Sequence, residues 1–425
     1  MLLLCVYLQE ENMNKYIITI LGTGLNALVG LVIIPILTRI YSPTVFAETV
    51  VLQSYCSLIY IGFSLGLENY LIRFFYGTNQ SQRNELINTL IFISLTLILC
   101  VFLCSLLFAF DYINYFRMGL IYSFFYLFFK FKIQYLRLEE KLTKYFCLQL
   151  VQKIYLIAFV IVINKFLVME DIHGFFFALI LSIFFSNMTN GISLNYKITG
   201  LSVSFIRRVL RYSVPICISM LIFSLVENFD KVLIGAKFFD FNTDNYLISF
   251  KIASIVTLIY QVVITLWTPL AFKWHDSKVA QGKYVNVFIL LSILLIIFYF
   301  AFSISVHYLH LIFGNEYKKS FSLAKILVIN PILLILSEIL VVGVYFKEKT
   351  KYPIYSSSLS FLVLCLLLIF LSKDYESVGI AYSTVFAYLT LYYSRWFFSY
   401  KVGYKIPGLL VSIPPIFIVS SSFYF

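Results

Sequence analysis

Twelve apolar runs follow one another along the chain, each of about 20 residues and separated by short polar stretches. They cover approximately 16–38, 45–67, 87–110, 112–129, 145–168, 172–196, 212–235, 246–270, 285–309, 321–345, 353–371 and 377–398. A helix needs about 20 apolar residues to cross roughly 30 Å of hydrocarbon, where lipid offers no partner to free backbone groups. The pattern therefore predicts an all-α polytopic membrane protein of about twelve transmembrane helices. A further apolar tail, Ile406 to Phe425, is long enough to span, but Pro407, Pro414 and Pro415 weaken it as a helix.

The connections are too short to hold a soluble domain. The expected organisation is an N-terminal extension at 1–14, a first lobe of six helices at 15–197, a basic linker at 198–211, a second six-helix lobe at 212–400 and the apolar tail at 401–425. Paired bundles around a central site are a common transporter plan.

Composition agrees with the pattern: 61% of residues are hydrophobic and 12% charged, with a mean hydropathy of +0.93. The net charge of +12 raises the question of nucleic acid, but 19% of residues are aromatic and the cations are dispersed among apolar runs, so no nucleic-acid partner is expected. Topology accounts for them better. With the N-terminus in the cytoplasm, the inward ends hold Lys15, Arg73 and Arg83, Lys130 to Lys144, Lys197 to Arg211, Lys273 to Lys283, Lys347 to Lys351 and Arg395 to Lys405. Acids such as Glu170, Asp171, Asp240 and Asp374 lie on the other side. Met1 to Asn12 carries Glu10 and Glu11 and no basic residue, so it does not read as a cleaved secretory signal, and Met13, followed by Asn14, Lys15 and an apolar run, is an alternative start to Met1.

Charges inside the apolar runs are costly, about 2.5 to 3.5 kcal/mol each at mid-bilayer, and call for a cavity or a partner. The main group is Glu227, Asp230 and Lys231 in the seventh run, followed by Lys251 in the eighth. Glu227 and Lys231, four apart with the acid first, are oriented for a helical ion pair, which leaves Asp230 to meet Lys251. This set reads either as internal neutralisation that permits insertion or as a polar cavity for a charged substrate or coupling ion. Lys153 lies near Gln149 and Gln152 on one face of the fifth run. Arg39 and Arg73 sit near opposite helix ends, where headgroup anchoring competes with a substrate role. Glu48 and Glu338 are further acids inside the runs, Glu48 being the one deep acid expected in the first lobe.

Other chemistry is poorly supported. The seven cysteines sit in or beside apolar runs without a CxxC pair and read as small buried hydrophobes. His307 and His310 have no further ligand at suitable spacing, so no metal is expected. No phosphate-binding glycine loop is present, and no nucleophile, base and orienting acid stand at recognisable spacing, so neither a cofactor nor an enzymatic activity is expected.

Several stretches, in order along almost the whole chain, resemble the polysaccharide-transporter branch of the MATE-like (MOP) superfamily, especially Wzx-type O-antigen flippases. They are PILTRIYSPTVFA (Pro35 to Ala47), GLENYLIRFF (Gly66 to Phe75), RYSVPICISMLIFSLVENFDKVLIG (Arg211 to Gly235), NYLISFKIASI (Asn245 to Ile255), LIFGNEYKKSFSLAKIL (Leu311 to Leu327) and ESVGIAYSTVFAY (Glu376 to Tyr388). The resemblance implies two lobes that open alternately to the two sides of the bacterial inner membrane and pass an undecaprenyl-diphosphate-linked oligosaccharide outward, for O-antigen, lipopolysaccharide or a related surface polysaccharide. It implies a polymerase and a chain-length regulator of the same pathway as further partners beside the membrane lipids. On this reading Lys231, Lys251 and Lys153 face phosphate or sugar, and Glu227 and Asp230 orient the substrate or couple an ion. The alternatives are a MATE-type drug or cation antiporter, which needs acids in the first lobe, and an O-antigen polymerase, which needs a large outer loop.

Overall fold

The computed structural model describes residues 13–74, 80–106, 113–167, 169, 171–189, 203–276, 281–308, 320–347, 349 and 351–422. Among them there is no strand. The first lobe's run of helices is α1 (Met13–Ile40), α2 (Pro43–Ser64), the short α3 (Leu67–Phe74), α4 (Gln80–Ser105), α5 (Ile113–Leu138), α6 (Leu142–Val162), which ends in a π turn at Ile163–Leu167, and α7 (Ile172–Thr189). There follow α8 (Val203–Gly235), α9 (Asp244–Ala253), α10 (Thr257–Asp276), α11 (Gln281–Ser305), α12 (Phe321–Leu327), α13 (Ile329–Phe346), α14 (Lys351–Lys401) and α15 (Gly408–Ser422). The extension at 1–12, the linker segment 198–202 and the Gly-Asn-Glu-Tyr stretch within 309–319 lie outside the described residues.

Ten helices among the described residues are long and apolar enough to cross a membrane. One of them, α14, carries the two expected runs at 353–371 and 377–398, separated at Glu376, where φ of 49° and ψ of −128° break the helix. The run at 112–129 is helical as α5, but Arg117, Lys130, Lys132 and Arg137 lower its apolarity. The tail is a 15-residue helix, α15, with Pro414 and Pro415 inside it. Packing holds it: the Tyr392 hydroxyl donates to the Val411 carbonyl at 2.7 Å and the Trp396 indole to that of Ile406 at 3.0 Å.

The surface confirms the solvent. Leu21, Leu25, Leu28 and Val32 form one exposed stripe along α1, at helical spacings of four, three and four. Leu359, Leu362, Leu366 and Ile369 do the same along α14. Such stripes are stable against lipid and not against water. The protein is a multi-pass membrane protein.

Packing divides the chain into two units, Met1–Ile36 with Tyr55–Ile218 and Leu37–Ser54 with Ser219–Phe425. The end of α1 and the start of α2 thus belong to the second unit. In the first, Leu67 and Leu71 of α3, Leu90 of α4, Leu120, Leu127 and Phe131 of α5 and Val209 of α8 are fully buried together. Because lipid is as apolar as leucine, close packing and internal hydrogen bonds hold such a core more than solvent exclusion does. The turn between α2 and α3 depends on Gly66: its φ is +66° and a Cβ there would stand 2.8 Å from the Ser213 carbonyl oxygen.

The second unit is built around α13, in which every residue from Ile329 to Val344 is buried. It packs against α14, α10 and α11. A helix enclosed in this way shows no polar stripe in its sequence, so its Ser337 and Glu338 must find partners inside the protein.

Of the cysteines, Cys56 and Cys217 are buried as expected, while Cys100, Cys104 and Cys147 are exposed on apolar helices. None of the described cysteines is in a disulfide.

Candidate functional site

Three charges fall within five residues near the end of α8: Glu227, Asp230 and Lys231. Their pairing differs from the helical i, i+4 expectation. Lys231 turns toward its immediate neighbour, its ammonium 2.9 and 3.1 Å from the two Asp230 carboxylate oxygens, and donates to the Glu227 backbone carbonyl, not the Glu227 carboxylate. Both members of the pair are fully buried. Phe250 of α9 places its ring 3.7 Å from the Lys231 nitrogen, a cation–π contact that favours this rotamer.

The Tyr246 hydroxyl of α9 donates to Asp230. Asp230 and Lys231 are therefore a charge-neutral pair whose remaining polar contacts come from Tyr246 and the Glu227 carbonyl, the kind of satisfaction a low-dielectric interior requires.

A second buried pair lies in the same unit, Arg395 of α14 on Glu338 of α13 at 2.6 Å. Arg395 also donates to the Ser337 hydroxyl at 2.7 Å, and its guanidinium stands 5.7 Å from the Phe223 ring. Counted from the sequence among the inward loop cations, Arg395 is in fact 6% exposed inside the bundle. Glu227 is partly exposed and lies within electrostatic reach of Lys231, Arg395 and Glu338. Its carboxylate makes no hydrogen bond or ion pair among the described residues.

Lys251 does not meet Asp230. Its ammonium donates to the side-chain oxygen of Gln53, on α2, at 2.6 Å, and no described carboxylate pairs with it. In this cluster Lys231 and Arg395 are each neutralised by a neighbouring carboxylate, whereas Glu227 and Lys251 pair with no opposite charge among the described residues. In the first unit Lys153 is similar to Lys251: its ammonium donates to the Asn26 backbone carbonyl at 2.5 Å and to no described acid. A cation at bilayer depth whose partner is a neutral oxygen keeps most of its charge uncompensated, so an anion brought beside it is stabilised.

Arg39 is exposed in the last turn of α1. Arg73 lies on α3, and its side chain lies outside the described residues, as do those of His307 and His310. No group of three metal-ligating side chains occurs among the described residues.

Two acids change places relative to the sequence expectation. Glu48 is exposed, whereas Glu68 of α3 is 9% exposed and accepts a hydrogen bond from the Tyr60 hydroxyl. Glu68 ends a hydrophobic hairpin turn and reads as a helix-end acid, which is why its burial was not visible in the chain. Gln53 was missed as well, although an amide inside the second apolar run was a usable signal.

A helical bundle with lipid-facing stripes, here with ionisable side chains in its interior, defines an integral membrane protein. The comparisons with known proteins narrow this class. The family model for polysaccharide biosynthesis proteins matches residues 13–275, more than half of the chain, and the chain belongs to that family. Its fold is similar to that of "Lipid II flippase MurJ, inward closed conformation", with a TM-score of 0.71 at 13% identity over 96% of this chain and 92% of that one. It is also similar to the inward-facing conformation of a multidrug resistance MATE family transporter of the MOP superfamily, with a TM-score of 0.57 at 14% identity over 90% and 95%. At those identities the likeness is one of fold. No curated protein sequence matches the chain significantly.

Proposed function

We propose that the protein is a flippase that moves an undecaprenyl-diphosphate-linked oligosaccharide from the cytoplasmic to the periplasmic leaflet of the bacterial inner membrane, without covalent chemistry. The lobes at 15–197 and 212–400, joined by the linker at 198–211, open alternately, with the N-terminus in the cytoplasm. The observation that carries this reading is Lys251, an interior ammonium held by the neutral Gln53 amide, in contrast to Lys231 and Arg395 of the same unit, which are paired with Asp230 and Glu338. Such a group suits a diphosphate that arrives and leaves, because a resident carboxylate would cancel it.

Lys153 supplies a second uncompensated cation in the first unit. Lys231 and Asp230, locked to each other, position the end of α8, and Glu227 is the acid free to couple an ion. Arg39 and Arg73 serve the headgroup level. O-antigen and lipopolysaccharide synthesis is the expected setting, with a polymerase and a chain-length regulator acting on the product. Each negative charge moved outward gains about 2.3 kcal/mol per 100 mV of inside-negative potential, so the potential can drive export.

The test is complementation of a strain lacking the protein. Lys251→Ala is expected to insert at normal abundance and to abolish surface polysaccharide, while Lys251→Arg keeps part of it. Normal polysaccharide with Lys251→Ala would overturn the reading.

One observation favours a second reading, a MATE-type cation antiporter: the buried Glu68 gives the first unit a deep acid. Vesicles separate the two. A flippase moves a fluorescent lipid-linked oligosaccharide and leaves a cationic dye in place, and an antiporter does the reverse.

A further inference from the structure

One end of the second unit holds a cavity of about 370 Å³ that is distinct from the charged cluster on α8. The end of α10, the start of α11, the end of α13 and the turn between α14 and α15 enclose it. Its floor is aromatic: Tyr284 and Tyr404 are buried and Phe346 half-buried, with Tyr284 and Tyr404 edge to face at 5.5 Å. Its rim is exposed and polar, with His275, Gln281 and Lys347. His275 lies flat on Phe346, ring centroids 4.1 Å apart and planes within 7°.

The floor depends on Gly343, where a Cβ would stand 2.2 Å from that of Tyr404. The absence of a side chain on α13 is what lets the α14–α15 turn descend and seat Tyr404. That tyrosine is 8% exposed, and its hydroxyl has no hydrogen-bond partner among the described residues. A buried hydroxyl left unpaired costs about 1–3 kcal/mol, which a ligand oxygen would recover. Burial and the neighbouring Tyr284 push its pKa up, so it remains a proton donor at any physiological pH.

The donors around the cavity are the Tyr404 hydroxyl, the Gln281 amide, the Lys347 ammonium and the His275 imidazole, and the described lining includes no carboxylate. Convergent donors without an acid select a ligand that is rich in acceptor oxygens and negatively charged. The cavity opens at the ends of membrane-spanning helices, the level at which lipid headgroups sit, and basic pockets between such helices suit phosphate-bearing headgroups. We infer that this cavity is a binding site for the phosphate group of a lipid, held by Tyr404, Gln281, Lys347 and His275 over the aromatic floor. The inference does not rest on the flippase reading. Two sources share the chemistry, an anionic phospholipid of the bilayer and the diphosphate of a polyprenyl carrier.

The protein carries a reporter beside the floor. Trp267 and Trp274 both pack edge-on against Tyr284, and the remaining tryptophan, Trp396, is removed with Trp396→Phe. The full chain is placed in nanodiscs of phosphatidylcholine, and fluorescence is followed as phosphatidylglycerol or undecaprenyl diphosphate is introduced. A saturable change that salt weakens is expected with at least one of them. A response to phosphatidylglycerol alone supports the site with bilayer lipid as its source, and one to undecaprenyl diphosphate alone supports it with the carrier as its source.

Tyr404→Phe and, at the exposed rim where folding is not at stake, Lys347→Gln are each expected to weaken the response about tenfold, the loss of one charge-assisted or buried hydrogen bond. No saturable change with either lipid overturns the inference. So does a Lys347→Gln protein that binds as wild type does.

Discussion

Arg395 and Glu338 stand 57 positions apart in the chain and 2.6 Å apart in space, a guanidinium nitrogen on a carboxylate oxygen, both shielded from the surroundings. The pair ties the second half of α14 to α13, the enclosed helix at the centre of its unit. Lipid exclusion supplies little force between helices, so a contact of this kind fixes which faces of α13 and α14 meet.

Removal of one member strands the other. Arg395→Met is expected to cost about 3–5 kcal/mol, read as a lower midpoint of unfolding in detergent, because Glu338 is left charged in a low dielectric. Arg395→Met together with Glu338→Leu is expected to recover most of that loss. A double variant as unstable as the sum of the two single ones would show that the pair carries no coupling.

The Asp230 network tests the same physics at a neighbouring point. Tyr246→Phe removes one hydroxyl from a buried carboxylate and is expected to cost about 1–2 kcal/mol, while Asp230→Asn leaves Lys231 without a counter-charge and costs about 3–5 kcal/mol. Because Tyr246 acts through Asp230, the double variant should be less damaging than the sum, by at least about 0.5 kcal/mol in a thermodynamic cycle.

Gln53→Glu separates stability from function. A carboxylate in place of the amide neutralises Lys251, so the protein is expected to melt no lower than wild type while surface polysaccharide falls sharply. Unchanged polysaccharide in that variant would mean that the Lys251 charge is not used.

Gly66→Ala is expected to destabilise the first unit by about 1–3 kcal/mol, since the residue has φ of +66° and the added Cβ meets the Ser213 carbonyl at 2.8 Å. Gly24, which has open space around the same position, is the control: Gly24→Ala should change the unfolding midpoint little.

The chain by itself determined that this is a bundle of membrane helices and, closely, where those helices lie. Hydrophobic length is a local property set by bilayer thickness, so each span is legible within its own 20 residues. The break at Glu376 was legible too, as the short polar stretch Lys373 to Glu376 between two runs. The presence of rare ionisable residues at depth was equally plain, since each is conspicuous against leucine and phenylalanine.

Which charge meets which was decided only by the tertiary structure. The i, i+4 rule paired Lys231 with Glu227 because it considers one helix in isolation, but Tyr246 and Phe250 of α9 make the Asp230 side the better hydrogen-bonded and better packed choice. Arg395 read as a loop cation because its sequence position is near a helix end, and only the enclosure of α13 shows that Glu338 needs it. Lys251 pairs with no described acid, because its neighbour is Gln53, 198 positions away. Partner choice in a bilayer is a matter of which helices pack, and packing brings together residues that no local spacing connects.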